Sequence, residues 1–192
     1  MTNQKIKVIG ISGASNAGKT TISKRLAEIN KGEFLFICMD DFYYPPESPK
    51  AIKIEDMPIP NFDCMQAIDW ESLNQDFKKK LLLAPKTVKY LIVEGIFVLN
   101  YEPIASRMDL KIFLTLDKQT MYERRLERKY QIPEPANYFE RFVYPAYLKV
   151  SSQIELEKES IHIFSGTMDK EKIFKTVYDL IVEKGADEKS KS

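Results

Sequence analysis

The chain has 192 residues, of which 44% are hydrophobic and 30% are charged. Its 29 Lys and Arg residues are balanced by 28 Asp and Glu residues, which excludes the basic excess typical of general nucleic-acid-binding and membrane-surface proteins. A length of this order is typical of one domain. We predict a single domain over residues 1–184, followed by a disordered tail over residues 185–192.

Short apolar runs alternate along the chain with segments of helical periodicity. Five of these runs are typical of strands buried on both faces, and they cover residues 6–11, 34–39, 90–95, 110–115 and 161–166. His162 lies within the last run and is interpreted as a core histidine. Strands that alternate with helices indicate right-handed crossover connections and a parallel sheet covered on both faces.

The segments between the strands carry helix signals. Ile22, Leu26 and Ile29 recur at helical spacing, and Gly32 is placed to end that helix. Further helices are predicted from the N-cap residue Asp69 to Pro85, from Met121 to Lys129, from Tyr138 to Glu159 with an interruption at Pro145, and on the apolar face of Phe174, Val177, Leu180 and Ile181, ending near Gly185. The proline-rich segment 42–66 is long for a plain connection and is predicted to be a binding loop.

The strongest motif is GASNAGKT at residues 13–20, which matches G-x-x-x-x-G-K-[ST] between a predicted strand and a predicted helix. Its two glycines let the backbone turn, so that successive N–H groups point at phosphate oxygens near the positive end of the helix. Lys19 is expected to reach the β- and γ-phosphates, and the Thr20 hydroxyl to hold Mg²⁺. The predicted ATP-binding residues of this loop are Gly13, Ala14, Ser15, Asn16, Ala17, Gly18, Lys19, Thr20 and Thr21.

Other features separate two classes of phosphate-loop protein. A small GTPase needs DxxG after a later strand and NKxD for guanine, whereas this chain has VEGIF at 93–97 and TLDK at 115–118. A kinase needs an acid near the acceptor hydroxyl, Mg²⁺ ligation, and cations around the transferred phosphoryl group. The sequence therefore favours a kinase that uses ATP and Mg²⁺.

Three acids follow strands of the predicted sheet at the edge where the phosphate loop lies. Ligands of parallel sheets bind outside these carboxyl ends. Asp40 is expected to accept a proton from a substrate hydroxyl, with a helix cap or turn residue as the alternative. For Asp41 a supporting or structural role and a catalytic role both stay open, and it is counted with the substrate-binding residues. Glu94 is expected to coordinate Mg²⁺ through water, with a structural salt bridge as the alternative.

The charged helix predicted after the fourth strand carries Arg124, Arg125 and Arg128. Arg124 and Arg128 are i, i+4 neighbours, so they share a face that could close on phosphates as a lid. The alternative is a solvated surface on which Glu123 and Glu127 pair with the arginines.

Several aromatic residues stand in loop-like stretches and suit stacking on a flat base, although each alone is more often a packing residue. They are Tyr43, Tyr44, Phe62, Tyr130 and Tyr138. Cys38 and Cys64 form no metal-binding or disulfide pattern and are expected to be inert.

No signal peptide and no apolar run of membrane-spanning length is recognised in the sequence. We expect a cytoplasmic protein, with the nucleus as the alternative compartment. We further expect a monomer or weak homo-oligomer that binds a small nucleoside and ATP, and neither nucleic acid nor membranes.

The motifs resemble those of the nicotinamide riboside kinases, within the uridine-kinase-like P-loop kinases, over about residues 5–184. The resemblance is carried by GISGASNAGKTT, MDDFYYPPES, NFDCMQAID, YLIVEGIFVLNYEPI and RRLERKYQIPEPANYFERFVYPAYLK. It implies a three-layer α/β P-loop fold with a central parallel five-stranded sheet of order 2-3-1-4-5, a substrate-side flap and a lid.

The resemblance also implies a role for each matching residue. Asp40 falls on the catalytic base, Asp63 on the acid that binds the ribose hydroxyls, and Glu94 on the acid that assists Mg²⁺ and catalysis. Arg128 falls on the lid arginine, and Tyr130 on a tyrosine that stacks on the nicotinamide ring. The predicted catalytic residues are Asp40, Lys19 and Glu94; the lid residues for ATP are Arg124 and Arg128; the substrate-binding residues are Asp40, Asp41, Tyr43, Phe62, Asp63 and Tyr130; the Mg²⁺ residues are Thr20 and Glu94.

The implied activity is ATP-dependent phosphorylation of the ribose 5′-hydroxyl of nicotinamide riboside for NAD biosynthesis, with nicotinic acid riboside as a second acceptor. Phe62 replaces the tyrosine that animal members of the family carry before the ribose-binding acid. Uridine kinases also have the sequence NFD at this position. Uridine/cytidine kinase is therefore the alternative. The segment YQIPEPANYF, which follows the predicted lid, argues against it. A nucleotide-binding regulatory protein without turnover is the second alternative.

Overall fold

The structure, a computed structural model, describes residues 5–29, 32–128 and 133–186, with the backbone alone for residues 183–186. The strands are β1 (Lys7–Gly13), β2 (Phe34–Cys38), β3 (Tyr90–Glu94), β4 (Leu110–Thr115) and β5 (His162–Ser165). The α-helices are α1 (Lys19–Ile29), α2 (Trp70–Leu83), α3 (Glu102–Ala105), α4 (Lys118–Glu127), α5 (Tyr144–Leu156) and α6 (Lys170–Ala186). Single 3-10 turns cover Met39–Phe42, Met65–Ala67 and Lys158–Ser160, and a π-helical turn, Phe139–Val143, precedes α5. Most of the tail predicted over residues 185–192 lies outside the described residues.

The five strands form one parallel sheet in the order β2-β3-β1-β4-β5, which confirms the predicted order. Glu94, the last residue of β3, is in register with Ile11 of β1 and with Cys38 of β2. The carboxyl ends of these three strands therefore reach the same edge of the sheet. This register decides which side chains meet there.

The hydrophobic core lies on both faces of the sheet, as predicted. One cluster packs sheet residues against α1 and α6 and includes Ile9, Ile11, Ile22, Leu26, Ile92, Ile112, Val177 and Ile181. The other packs them against α2 and α5 and includes Val8, Ile37, Leu73, Phe77, Leu91, Val93, Phe113, Val150 and Ile154. Within the described ranges, no helix is both long and apolar enough to span a membrane.

Helices α1 and α2 lie where their sequence patterns predicted them. Asp69 caps α2 as expected, because its carboxylate accepts a hydrogen bond from the Ser72 backbone N–H at 3.1 Å. Ile22, Leu26 and Ile29 all lie in α1, as their spacing predicted; Ile22 and Leu26 are buried, whereas 49% of Ile29 is exposed.

The prediction that β5 is buried on both faces was also wrong. This strand lies at the edge of the sheet and pairs only with β4. Its residues alternate between half-buried and exposed, and Ile163 is 40% exposed. His162 is accordingly half-buried at the sheet edge, not a core histidine.

The interruption predicted at Pro145 takes the form of the π-helical turn Phe139–Val143. Proline has no N–H to donate to the carbonyl four residues earlier, here that of Arg141, so a regular α-helix cannot run through this position. Helix α5 begins directly after this turn, with Pro145 in its first turn. The one-turn helix α3 was not predicted, because four residues are too few to show a helical period.

Gly13 is expected to be the glycine least tolerant of substitution in the phosphate loop. Its φ is +137°, and an added Cβ would lie 2.1 Å from the carbonyl oxygen of Leu114. Gly18 also has a positive φ, +97°, but an added Cβ would meet no atom within 4 Å. We expect Gly13→Ala to lower the free energy of unfolding in urea by about 3 kcal/mol or more, and Gly18→Ala by about 1 kcal/mol. Equal losses for the two variants would contradict the steric argument.

Candidate active site

The phosphate loop connects β1 to α1 and folds into a concave backbone turn. Three of its residues have positive φ, namely Gly13 at 137°, Asn16 at 59° and Gly18 at 97°. Asparagine is one of the few non-glycine residues that readily adopts this conformation. Such a turn, placed before the free N–H groups of a helix N-terminus, is a general anion-binding geometry.

Lys19 places a buried cation inside this loop. Its Nζ atom donates hydrogen bonds to the carbonyl oxygens of Ala14 at 2.8 Å and Gly13 at 3.2 Å, and the residue is 8% exposed. Burial lowers the pKa of Lys19, while the charges of Glu94 and Asp40 act in the opposite direction. A buried lysine in a cradle of N–H groups favours an anionic ligand, as the sequence predicted.

Glu94 lies directly behind the phosphate loop and is 1% exposed. Its Oε1 atom accepts hydrogen bonds from the Thr20 hydroxyl at 2.7 Å and from the Cys38 thiol at 3.1 Å. Burial raises the pKa of Glu94, and the nearby Lys19 charge partly offsets this rise. The sequence predicts an inert Cys38, whereas the structure shows that its thiol holds Glu94. The salt bridges of the described residues include none to Glu94.

The residues around Thr20 fit the Mg²⁺ that the family resemblance implies. Mg²⁺ prefers oxygen ligands, keeps several waters, and is usually bound through one or two carboxylates together with substrate phosphates. The Thr20 hydroxyl and the Glu94 carboxylate supply hard oxygens next to the phosphate loop. Among the described residues, no group of three or more His, Cys, Asp or Glu side chains could form a metal cage. This donor set suits an ion that is bound mainly by phosphates and water.

Asp40 and Asp41 lie on the 3-10 turn that follows β2, and both are exposed. Asp40 lines the same cleft as Lys19, and its charge acts on Lys19, Glu94 and Asp63. Asp41 is not among the residues that line this cleft in the described part of the chain. The structure thus separates the two acids and supports Asp40 as the residue that faces a ligand.

A cleft of about 890 Å³ opens at this edge of the sheet. It brings together most of the residues predicted from sequence: Ser15, Asn16, Gly18, Lys19, Thr20, Thr21, Asp40, Tyr43, Phe62, Asp63, Arg124 and Arg128. Ala14 and Ala17 are buried below its floor, as are Gly13 and Glu94. Tyr130 lies outside the described residues. The cleft is large enough for two ligands, one at the phosphate loop and one at the flap of residues 42–66.

Helix α4 lies against the phosphate loop, where a lid was predicted. Arg124 Nη1 donates to the carbonyl oxygens of Gly166 at 3.0 Å and Asn16 at 3.3 Å, and Arg128 Nη1 donates to Asn16 Oδ1 at 3.0 Å. Glu123, the alternative partner of these arginines, accepts a hydrogen bond from Gln119. The contacts with Asn16 favour the lid interpretation for Arg124 and Arg128.

Arg125 is a site residue that the sequence analysis did not select. It is 9% exposed, and its Nη1 donates to the Ser15 hydroxyl at 2.6 Å. It also pairs with Glu134, which lines the cleft together with Ile59, Ile96 and Glu127. One signal could have found it: Arg125 lies four residues after the buried Met121, and so on the inner face of α4.

The cleft also contains Asp63, whose side chain is only 8% exposed. Burial raises the pKa of Asp63, whereas Arg125 and a hydrogen bond from the Tyr138 hydroxyl lower it. The same hydroxyl accepts a hydrogen bond from the Phe62 backbone N–H at 2.8 Å. Tyr138 is 1% exposed, so it packs and supports the flap. Tyr43 and Phe62 form an edge-to-face pair with ring centres 5.6 Å apart and present an aromatic wall beside Asp63.

Comparison with known proteins agrees with this arrangement. A family model described as an AAA domain matches residues 9–144. Nicotinamide riboside kinase 1 of Rattus norvegicus is 30% identical over 186 residues, which cover 91% of this chain and 93% of the relative. The chain belongs to the nicotinamide riboside kinase family and carries this AAA domain.

Two further similarities extend beyond that family. A uridine kinase of Ligilactobacillus salivarius is 31% identical over 152 residues, which cover 67% of this chain and 70% of the relative. A structure described as a possible uridine kinase from Bacillus stearothermophilus aligns with a TM-score of 0.52 at 15% identity and covers 85% of this chain and 91% of the other. The structural likeness shows the P-loop kinase fold, and the named relatives support a nucleoside kinase activity.

Proposed function

We propose that this protein is an ATP-dependent nucleoside kinase that phosphorylates the ribose 5′-hydroxyl of nicotinamide riboside. The product is the mononucleotide used in NAD biosynthesis, and nicotinic acid riboside is a second acceptor. One observation carries the proposal: a single cleft is lined by the phosphate loop with Lys19, by Asp63 and by Asp40. The nicotinamide riboside kinase relatives, which match over about nine-tenths of the chain, support this acceptor.

The proposed transfer is an in-line displacement on the γ-phosphorus of ATP. Asp40 accepts the proton of the 5′-hydroxyl as that oxygen bonds to phosphorus and the bond to the leaving ADP oxygen breaks. Lys19 and the lid arginines Arg124 and Arg128 stabilise the negative charge of the transferred group. Mg²⁺, held by Thr20 and through water by Glu94, would supply charge neutralisation at the phosphates.

The acceptor end of the cleft suits a nucleoside with a cationic base. The Asp63 carboxylate can accept hydrogen bonds from ribose hydroxyls, and Arg125 lies beside it as a donor. Tyr43 and Phe62 offer aromatic surface, and an aromatic face attracts a cation such as a pyridinium ring. Four carboxylates, those of Asp40, Asp63, Glu127 and Glu134, line the cleft together with its cations, so a cationic base can also face negative charge there.

Uridine/cytidine kinase is the second candidate function. It is favoured by the similarity to the Ligilactobacillus salivarius uridine kinase and by Phe62 in the stretch NFD. A regulatory protein without turnover is less well supported, because Lys19, Asp40 and Asp63 all line one cleft.

One assay tests the proposed function. ADP release is measured with Mg·ATP and a panel of nicotinamide riboside, nicotinic acid riboside, uridine and cytidine. We expect the highest kcat/KM for nicotinamide riboside. A preference for uridine would replace the substrate assignment, and no turnover with any nucleoside would favour the regulatory alternative.

The hydrogen bond from the Cys38 thiol is expected to hold the Glu94 carboxylate in position. Cys38→Ala removes one of two donors to Oε1 of a buried carboxylate, so we expect kcat to fall about fivefold. Cys38→Ser keeps a donor at the same place and is expected to retain most of the activity. Both variants are measured as a function of Mg²⁺ concentration. Equal activity of Cys38→Ala and the unmodified protein would show that Thr20 alone suffices to hold Glu94.

A further inference from the structure

Arg125 lies between the phosphate loop and Asp63. Its Nη1 atom donates to the Ser15 hydroxyl of the phosphate loop at 2.6 Å. Its Nε atom donates to Glu134 Oε2 at 2.7 Å, and its Nη2 atom donates to Glu134 Oε1. The same Nη2 atom is 3.7 Å from Oδ2 of Asp63. A single buried cation therefore contacts Ser15 and Glu134 and lies near Asp63.

The two carboxylates compete unequally for this guanidinium. Glu134 takes its Nε–Nη2 edge in a bidentate pair, the strongest arrangement available to arginine and a carboxylate. Asp63 is left at 3.7 Å, which is longer than a hydrogen bond. Asp63 and Arg125 are each less than one-tenth exposed, so the pair would be expected to close fully if nothing else engaged the arginine.

The consequence concerns the oxygen atoms of Asp63. A bidentate pair between Arg125 and Asp63 would engage both carboxylate oxygens and leave fewer of their lone pairs to accept hydrogen bonds from a diol. In the structure Asp63 instead accepts from the Tyr138 hydroxyl and keeps further acceptor capacity toward the cleft. Glu134 reaches Arg125 with both of its own oxygens, so its effect on a nucleoside is indirect.

We propose that Glu134 is a positioning residue that holds Arg125 away from Asp63 and thereby keeps the Asp63 carboxylate available for the ribose hydroxyls of the acceptor. The inference rests on the proposed nucleoside kinase function and adds a determinant of acceptor affinity. Without the bidentate pair, Arg125 moves onto Asp63 and competes with the ribose for the same oxygens. Lys19 and the N–H groups at the N-terminus of α1 remain in place to bind the phosphates, so ATP binding is expected to be largely independent of Glu134.

The test measures acceptor and donor binding separately by titration calorimetry, with nicotinamide riboside and a non-hydrolysable ATP analogue as probes. For Glu134→Gln we expect nicotinamide riboside to bind about ten- to a hundredfold more weakly and the ATP analogue to change by less than about threefold. Glu123→Gln is the matched control, because Glu123 is exposed on the same helix as Arg125 and is not among the described residues that line the cleft. It should leave both affinities unchanged. Unchanged acceptor affinity in Glu134→Gln, or an equal loss for both ligands, would overturn the inference.

A double-mutant cycle shows whether Glu134 acts through Asp63. In an Asp63→Asn background the competing carboxylate is already gone, so adding Glu134→Gln should change kcat/KM for the nucleoside by less than about threefold. A full additive loss would indicate a merely structural role and would contradict the inference. Glu134→Asp, which keeps the charge but shortens the side chain, is expected to show intermediate acceptor affinity and serves if the Gln variant does not fold. If the unmodified protein turns over a nucleoside but Glu134→Gln binds it normally, the inference alone fails; if no nucleoside is turned over or bound, the proposed function fails with it.

Discussion

Asp40→Asn is expected to reduce nucleoside phosphorylation by about 10³-fold, because an amide cannot accept the proton of the acceptor hydroxyl. The substitution keeps the size of the side chain on an exposed turn, so the fold and the phosphate loop should be unaffected. ATP affinity is expected to stay within about threefold of the unmodified protein, because Asp40 is not part of the loop that cradles the phosphates. Single-turnover rates and separate binding of an ATP analogue provide the measurement.

Asp41→Asn is the comparison variant for this prediction. Asp41 lies on the same turn but is not among the described residues that line the cleft, so its loss of activity should be much smaller. The reverse order of the two effects would transfer the role of base to Asp41. Retained turnover in both variants would show that the hydroxyl loses its proton without a carboxylate base.

Lys19→Met is expected to lower kcat by about 10²- to 10³-fold and also to weaken ATP binding, since a buried charge that faces the phosphates is removed. Lys19→Arg should not restore activity, because the guanidinium fork is larger than the ammonium group that lies between the carbonyl oxygens of Gly13 and Ala14. Steady-state kinetics and binding of an ATP analogue measure both effects.

The stability of Lys19→Met separates a loss of chemistry from a loss of fold. Burial lowers the pKa of Lys19, which shows that the charged form is costly in the folded protein. An apolar side chain of similar length should therefore leave the free energy of unfolding unchanged or raise it. A marked decrease in the urea midpoint would mean that the activity loss reflects unfolding and would contradict the assignment of Lys19 to phosphate binding.

The phosphate loop and the parallel sheet could be predicted because each depends on local patterns. GASNAGKT carries its own turn glycines, its cation and its hydroxyl within eight residues, and the strand before it and the helix after it are visible as periodicity. Alternating strands and helices indicate a parallel sheet, although its order 2-3-1-4-5 came from the family resemblance. Predictions failed where burial depends on position in the sheet. Ile163 in β5 looks like a core residue in sequence and is 40% exposed because β5 is an edge strand.

The side-chain partnerships of the site could not be predicted in the same way. Cys38 and Glu94 are 56 residues apart in the chain, and they touch because β2 and β3 pair in a particular register. Arg125 and Ser15 are 110 residues apart and meet only because α4 lies over the phosphate loop. Glu134 is one of 28 acidic residues, and nothing in its sequence neighbourhood distinguishes it.

The sequence by itself determined that the chain has a phosphate loop, the alternation of strands and helices, and the acids that follow the second and third strands. These features depend on residue types at short spacing, where backbone conformation and local hydrogen bonding dominate. Only the tertiary structure decided that Asp40, and not Asp41, lines the cleft, that Cys38 holds Glu94, and that Arg125 is shared between Ser15, Glu134 and Asp63. Such contacts arise from the packing of segments that are distant in the sequence. Charged groups pair according to their distance and burial in the folded protein, and neither can be read from one segment alone.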